Sequence, residues 1–160
     1  MYIKVSDMNL PGNDKYLVSS TKYVTTETAK KILFPAGSII FPKNGGAVGT
    51  NKKRITTQTT TIDLNTMGVI PGAKLTTQYL YSWFLNFDLM SITSGSALPT
   101  ISAKNMGEQA IAVPPIELQE RFPSFVELID KSRFIVQSQI KDLQELLDSK
   151  MDEYFGGDEE

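Results

Sequence analysis

Residues 41–54, FPKNGGAVGTNKKR, combine three glycines with four basic side chains. Glycine-rich backbone amides and lysines are the groups that hold phosphates, those of a nucleotide or those of nucleic acid. A P-loop requires G-x-x-x-x-G-K-S/T, but only three residues separate Gly45 from Gly49 and no Lys-Ser/Thr pair follows. The dinucleotide pattern G-x-G-x-x-G is absent as well. The segment is therefore either a flexible, basic loop for nucleic acid or a hairpin connection with a solvated, charged tip.

Seven side chains of this segment have the chemistry for nucleic-acid contacts. Lysine and arginine neutralise phosphates, whereas asparagine and threonine donate and accept hydrogen bonds at base edges. The seven are Lys43, Asn44, Thr50, Asn51, Lys52, Lys53 and Arg54.

Histidine and cysteine are both absent from the 160 residues. Histidine is the side chain best suited to proton transfer near neutral pH, and cysteine supplies thiolate nucleophiles and zinc ligands. Their absence excludes Ser–His–Asp and Cys–His catalysis, disulfides and zinc–cysteine sites. A Ser–Lys pair or a carboxylate pair remains open, although neither has a recognisable spacing. We therefore expect this chain not to be an enzyme and predict neither a metal nor a cofactor.

The net charge of −2 conceals a division along the chain. Residues 1–116 carry a net charge of +5, and residues 117–160 carry a net charge of −7. A basic front suits a polyanion such as DNA, whereas an acidic tail suits contacts with protein. The overall charge is therefore a poor guide to partners.

No apolar run approaches the roughly 20 residues that span a bilayer. The N-terminus also lacks the apolar segment and cleavage site of a signal peptide. We expect a cytoplasmic protein without membrane contact.

Short strands and short helices alternate in the front part of the chain, which predicts an α+β fold. Alternating or threonine-rich runs predict strands at residues 2–5, 16–24, 38–41, 55–64 and 110–113. Capping residues predict helices after Thr26, after Thr77 and after Ser102, the last ending at Gly107. The aromatic stripe of the helix after Thr77 is predicted to lie in the core.

The tail has a heptad-like pattern. Its apolar positions recur at intervals of three and four, and Arg133 occupies the position that divides the one interval of seven. The seam consists of Phe122, Val126, Ile129, Arg133, Val136, Ile140, Leu143 and Leu147. Since proline is favoured at the first position of a helix, we predict a short turn at residues 117–121. A long helix then runs from about Pro123 to about Tyr154 and ends at Gly156-Gly157.

This long helix either folds back on its own domain or pairs with another helix. Its predicted length is roughly 48 Å, and a domain this small can cover little of it. We expect the helix to pair as a coiled coil, through the seam from Val126 onward. Arg133 would weaken the packing but set the register.

Four segments follow one another in a recognisable order. They are YIKVSDMN (2–9), PAGSIIFPKNGGAVGTNKKRI (35–55), SGSALPTISAKNMGEQAIAVPPIELQ (94–119) and the long helix. In this order they resemble the specificity (S) subunit of type I DNA restriction–modification systems. The corresponding family motifs are W-I-K/R-V/I-S/T-D, a strand and loop with K/R-x-G, G-S/T-A/G-x-P/Q-x-I/L-N/S, and I/V-P-x-P-P/S-x-x-E-Q. The resemblance covers nearly the whole chain.

The resemblance implies a target recognition domain at residues 1–116, a conserved helix at residues 117–155 and an acidic tail at residues 156–160. Family members are not catalytic; they read double-stranded DNA. Modification (methyltransferase) subunits bind around them and carry S-adenosylmethionine, and motor–nuclease subunits join for restriction. A full-length subunit has two such units, whose helices pair antiparallel so that each recognition domain reads half of a split site.

The resemblance also ranks the expected DNA contacts. Its second loop, at the start of SGSALPT, adds Ser96 and Thr100 to the side chains of the glycine segment. We expect contacts first from Lys43, Asn44, Lys52, Lys53 and Arg54, and second from Thr50, Asn51, Ser96 and Thr100.

The chain departs from the family pattern in two places. The family usually has several dozen residues before the first motif, so we expect a half-subunit that lacks this segment. Leu118 stands where glutamate often precedes Gln119, and Pro123 interrupts what is usually a continuous helix start. We therefore expect a different hinge between domain and helix.

Two functions from different classes remain open. One is a non-catalytic DNA-recognition half-subunit that dimerises through its C-terminal helix and reads a split site. The other is a helical interaction or regulatory fragment that pairs with an S subunit or a modification subunit without reading DNA.

Overall fold

The computed structural model describes residues 1–25, 27, 29, 33–95 and 97–155. It divides the chain into two compact units, Met1–Glu120 and Arg121–Glu160. Part of the helix predicted after Thr26, the side chain of Ser96 and the tail at residues 156–160 lie outside the described residues.

The chain combines short strands with helices, which confirms the predicted α+β class. The strands are β1 (Tyr2–Ile3), β2 (Tyr16–Leu17), β3 (Ile39–Pro42), β4 (Arg54–Thr56), β5 (Thr61–Ile62) and β6 (Thr66–Val69). The helices are α1 (Thr77–Asn86), α2 (Ala103–Gly107) and α3 (Ile116–Phe155). Turns of 3-10 helix cover Val5–Asn9, Gly45–Thr50 and Leu89–Ile92.

Four strands form a mixed sheet in the order β2-β4-β3-β6, and β1 pairs with β5 in a separate two-stranded sheet. In the mixed sheet β2 and β4 are parallel, and β3 is antiparallel to both β4 and β6. One face of β3 packs against α1, where the Phe41 and Phe84 ring centroids are 5.3 Å apart. The buried residues of α1 are Leu80, Tyr81 and Phe84, whereas Trp83 and Phe87 of the predicted aromatic stripe are half-buried and pack against this core.

Several predicted strands are shorter than expected because side chains divert the backbone. The strand at residues 16–24 ends at Leu17, since the amides of Val18 and Ser19 donate to Asn13 Oδ1 instead of to a neighbouring strand. The strand at residues 2–5 ends at Ile3, since the next residues close a 3-10 turn in which Lys4 N donates to Asp7 Oδ2.

Three further predictions need correction. The run at residues 55–64 is divided between the two sheets, so it contributes both β4 and β5. Residues 110–113 form no strand; the Ala112 carbonyl accepts from the Tyr79 hydroxyl at 3.1 Å. The helix after Thr77 is capped one residue earlier, because Thr76 Oγ1 accepts from Tyr79 N. The prediction of a helical turn capped by Ser102 and ending at Gly107 is confirmed.

Buried polar side chains connect the N-terminal segment to the sheet. The side chain of Asn13 is fully buried and makes four hydrogen bonds, to the backbone of Asp7, Val18 and Ser19. Arg54 Nε in turn donates to the Asn13 carbonyl, and its Nη2 donates to the Met8 carbonyl at 3.2 Å. These bonds fasten the first turns of the chain to β4.

The Asp7 carboxylate is fully buried in the same region. Burial by itself raises the pKa of this carboxyl, but hydrogen bonds from Lys4 N and from the Thr21 amide and hydroxyl outweigh it, and the pKa lies below its ordinary value. Its contribution to stability is present above the ordinary pKa of aspartate and is lost as the pH falls through the lowered value.

Residues 51–53 fasten the glycine segment to the C-terminal end of α1. Both Asn51 Nδ2 and Lys53 Nζ donate to the Phe87 carbonyl, at 3.4 and 2.7 Å, and Asn51 Oδ1 accepts from Leu89 N at 3.0 Å. Only 2% of Lys53 is exposed. Burial lowers the pKa of Lys53 to about 8, and the nearby Asp88 carboxylate offsets this only in part.

Gln119 joins the first turn of α3 to the start of α1. Its Oε1 accepts from Thr76 N, and its Nε2 donates to the carbonyls of Lys74 and Pro114, each at 2.8 Å. The side chain is fully buried, so these three bonds replace the water that its amide would otherwise bind.

The long helix differs from its predicted start. It begins at Ile116, directly after Pro114-Pro115, and contains Pro123 in its interior instead of at its first position. Proline has no N–H to donate to Gln119, four residues earlier, and costs a helix interior about 3 kcal/mol. The 40-residue helix is about 60 Å long. From Ser124 to Phe155, every described side chain except the half-buried Val126 is exposed.

Replacing Gln119 by glutamate tests its role in the fold. Gln119→Glu keeps the shape but turns a carboxylate toward two carbonyl oxygens, so we expect the free energy of unfolding at pH 7 to fall by roughly 3 kcal/mol. The deficit relative to the native chain should shrink toward pH 4, where the introduced carboxyl takes up a proton. Urea unfolding at both pH values measures it, with Gln144→Glu on the exposed part of α3 as the control. Equal stability of the two variants would contradict the role assigned to Gln119.

The buried Lys53 predicts a specific dependence of stability on pH. Because its folded pKa of about 8 lies below the ordinary 10.5, the unfolded chain holds more protons between these values and stability rises with pH there. Between pH 7.5 and pH 10, the free energy of unfolding of the native chain should rise by roughly 2 kcal/mol more than that of Lys53→Met. Denaturant titrations of the native chain, Lys53→Met and the exposed control Lys104→Met measure this gain. Parallel pH profiles for the native chain and Lys53→Met would contradict the prediction.

Candidate nucleic-acid interface

Residues 43–45 form the centre of a surface built from three segments. On one side, Lys43 N donates to the Asn65 carbonyl at 2.9 Å, and Asn44 Nδ2 donates to the Leu64 carbonyl at 3.0 Å. On the other side, Gly45 N donates to the Pro99 carbonyl at 2.8 Å. The structure therefore brings the glycine segment and the second family loop together. The turn between β5 and β6 forms the third segment of this surface.

The glycine segment is an ordered turn, which corrects the expectation of a flexible loop. Gly45–Thr50 is a 3-10 turn whose Val48 side chain is fully buried in the main core. Gly45 has a φ of +69° and Asn51, which ends the turn, has a φ of +52°. Asparagine tolerates this left-handed conformation better than most residues, so its position here has a local structural reason.

Of the eight predicted contact residues that the structure describes, seven are at least partly exposed to solvent and Lys53 is buried. Thr50 is exposed, and its hydroxyl donates to the Ala47 carbonyl at 2.7 Å. Lys43, Asn44 and Lys52 are half-buried, and Lys52 Nζ donates to Asn9 Oδ1. These side chains could exchange their present contacts for phosphates or base edges.

Three others form hydrogen bonds inside the fold. Lys53 and Asn51 hold the Phe87 carbonyl, and Arg54 donates to the carbonyls of Asn13, Lys53 and Met8. Reaching DNA would cost each of them these bonds. We therefore give them a structural role and leave them out of the DNA contacts proposed below.

The second family loop is held by reciprocal backbone bonds. Ser94 N donates to the Thr100 carbonyl at 2.9 Å, and Thr100 N donates to the Ser94 carbonyl at 3.0 Å. The half-buried Thr100 directs its hydroxyl to the Leu98 carbonyl at 3.3 Å. Thr100 thus lies beside Asn44, to which it is bridged, while Ser96 is outside the described residues.

Some residues that build this surface were not identified from the sequence. The turn of Leu64 and Asn65 is closed by Asp63, whose carboxylate accepts from Asn65 N and from the Thr66 hydroxyl, each at 3.0 Å. The spacing D-x-N-T is typical of an Asx turn and would have indicated it.

The structural role of Gln119 was not identified from the sequence either, although Gln119 is the last residue of the quoted family motif.

A groove of about 530 Å³ lies between β6, α1 and α2. Its lining is mainly apolar and includes Met67, Trp83 and Met106, together with Lys43. Among the described residues no cluster of acidic side chains is arranged to hold a metal ion. In the same part of the chain no serine hydroxyl is hydrogen-bonded to a lysine ammonium.

The seam of α3 keeps its heptad spacing in the second unit. Its members from Ile129 to Leu147 are exposed, and Val126 is half-buried. Leu128 and Ile129 flank a shallow depression that also involves Arg133 and Val136. No helix in the described residues is both long enough and apolar enough to cross a membrane.

Comparisons with known proteins agree with the sequence resemblance. A solved chain described under the structural basis of complex assembly and conformational transition of the type I R-M system has a similar fold, with a TM-score of 0.54 at 15% identity. The similarity covers 72% of this chain and only 29% of that chain, so this chain corresponds to less than a third of that one. No curated protein matches.

The family model matches over most of the length. Residues 1–145 match the model described as the type I restriction modification DNA specificity domain, so the match covers the first unit, most of the second and the quoted motifs. The resemblance is thereby confirmed. The chain belongs to the family of type I restriction modification DNA specificity domains.

Proposed function

We propose that this chain is a non-catalytic DNA-recognition subunit of a cytoplasmic type I restriction–modification system. The observation that carries the proposal is the surface around residues 43–45, where three hydrogen-bonded turns present lysine, asparagine and threonine side chains to solvent. Modification subunits, and through them a motor–nuclease subunit, would be its protein partners. The proposal rests on this surface together with membership of the family.

The proposed contacts divide into phosphate and base contacts. Lys43 and Lys52 are half-buried like Arg54, but Arg54 is held by three backbone carbonyls, so Lys43 and Lys52 are assigned to phosphates. Asn44 and Thr50 are assigned to base edges, and Thr100 supports the position of Asn44. Two lysines supply limited affinity, so phosphate contacts from modification subunits would be needed for tight binding.

The exposed helix seam supports self-association. A helix whose apolar residues remain in water lacks the packing that normally stabilises it. A second helix that covers the seam would supply this packing. Residues 121–141 carry a net charge of +2, and residues 142–155 carry a net charge of −4. Opposite charges meet when two copies pair antiparallel, whereas like charges meet in a parallel pair. We therefore propose an antiparallel dimer, in which two recognition domains read a split site.

A second candidate is an interaction fragment that pairs with an S subunit or a modification subunit without reading DNA. The internal engagement of Lys53 and Arg54 favours it, because these bonds leave the surface with fewer cations than the sequence suggested. Both candidates use the exposed seam of α3, and DNA binding distinguishes them.

Removing the two surface lysines tests DNA recognition. The double variant Lys43→Ala/Lys52→Ala should bind duplex DNA of any sequence more weakly, and the slope of log affinity against log salt should fall by about 2 because two phosphate contacts are lost. Fluorescence anisotropy with a labelled random-sequence duplex, with and without a modification subunit, measures both quantities.

The control for this experiment removes the same charge elsewhere. Lys74→Ala/Lys104→Ala replaces two exposed lysines outside the three turns and should leave the salt slope unchanged. Equal slopes for both double variants would overturn the assignment of phosphate contacts. Absence of DNA binding by the native chain under every condition would favour the interaction fragment.

Charged substitutions in the seam test the helix pairing. Ile140→Asp/Leu143→Asp places two carboxylates in the seam, and the dissociation constant of the dimer should rise about a hundredfold or more. Ser138→Asp/Ser149→Asp lies off the seam on the same helix and should have little effect. Sedimentation equilibrium of the whole chain measures both, and a native chain that stays monomeric would contradict self-association.

The orientation of the helices can be tested with an introduced thiol, since the chain has no cysteine. Lys150 follows Leu143 by one heptad on the seam. In a parallel pair, Lys150→Cys would place two thiols opposite each other and they would oxidise to a disulfide. Under mild oxidation we expect no crosslinked dimer, because an antiparallel pair separates the two positions. Efficient crosslinking would contradict the antiparallel arrangement.

A further inference from the structure

An apolar side chain stands at the polar surface around residues 43–45. Leu98 belongs to the turn of residues 94–100 and is 65% exposed. One of its methyl carbons, Cδ1, lies 3.5 Å from the position that a Cβ on Gly45 would occupy. The leucine is thus placed directly beside the glycine segment, next to Lys43 and Asn44.

The backbone holds this leucine in position from several sides. The turn is closed by the two bonds between Ser94 and Thr100, and the Pro99 carbonyl, directly after Leu98, accepts from Gly45 N at 2.8 Å. Gly95 has a φ of +87°, and a Cβ there would approach the Leu98 carbonyl to 3.1 Å. A backbone held in this way loses little further conformational freedom when the side chain that it carries makes a contact.

The chemistry around Leu98 is that of a base-reading surface. Because Asn44 Nδ2 donates to the Leu64 carbonyl, the amide orientation leaves Asn44 Oδ1 as an acceptor, and no described residue donates to it. In the major groove an A·T pair presents the N6 donor of adenine and the C5 methyl group of thymine. The amide oxygen of Asn44 and the side chain of Leu98, which lies beside the following residue Gly45, match these two features.

We infer that Leu98 contacts the C5 methyl group of a thymine in the major groove, beside the base that Asn44 reads. This inference rests on the proposed function and names a specificity residue for it. The contact is apolar and lies at the centre of the surface, so it contributes to the choice of sequence and not to the salt dependence of binding.

Removal of a single methyl group from the DNA tests this contact. The native chain, with modification subunits present, is first used to select its preferred site from a random duplex library. Each thymine of that site is then replaced by deoxyuridine, which removes only the methyl group. We expect one position at which the replacement weakens binding about three- to fivefold, the effect of one buried methyl group.

Variants of Leu98 show whether it makes the contact. In Leu98→Ser the sensitivity to deoxyuridine at that position should disappear, whereas Leu98→Met, which keeps an apolar side chain, should retain it. Leu118→Ser removes another exposed leucine, in the first turn of α3, and should behave like the native chain. Circular dichroism melts establish that each variant is folded.

The outcomes separate this inference from the proposed function. A selected site without thymine, a site insensitive to deoxyuridine, or sensitivity that persists in Leu98→Ser overturns the contact while DNA recognition stands. Failure of the native chain and modification subunits to retain any DNA from the library overturns the proposed function, and the contact with it.

Discussion

Backbone hydrogen bonds to buried polar side chains hold this small domain together, because its strands are too short to do so alone. Among the described residues no strand exceeds four residues, and β1, β2 and β5 are only two residues long. Asn13 and Gln119 therefore act as substitutes for strand pairing, since each is fully buried and binds backbone groups of three other residues. Each unmade bond of this kind costs about 1–3 kcal/mol, which concentrates stability in a few side chains.

Short strands also explain why the candidate surface is made of turns. The strands end early and the connections carry the chain across the surface, where the glycine segment meets two other turns through main-chain bonds. Such a surface combines a fixed backbone with side chains that vary without altering the fold. Most of the hydrogen bonds that join these turns link backbone groups, so they depend little on which side chains the surface carries.

The two units handle their polar and apolar groups in opposite ways. The first unit buries charged groups, Asp7 and Lys53, and satisfies them with hydrogen bonds inside the fold. The second unit leaves a long apolar seam in water and divides its charges between the two ends of the helix. An arrangement of the second kind is stable when another helix covers the seam, which is the physical basis for the proposed pairing.

The sequence by itself determined the class of fold, the long helix with its seam, the cap at Ser102 and the family, because these depend on local spacing and on the order of motifs. It also located the glycine segment. Only the tertiary structure decided which of its basic residues are held inside the fold: Lys53 and Arg54 look equivalent to Lys43 and Lys52 in the sequence, yet they bond to carbonyls that are distant along the chain. The continuation of α3 through Pro123 was likewise decided by the helix on either side of it. The physical reason is that burial and hydrogen-bond partners belong to the folded chain as a whole, whereas capping and periodicity belong to a few neighbouring residues.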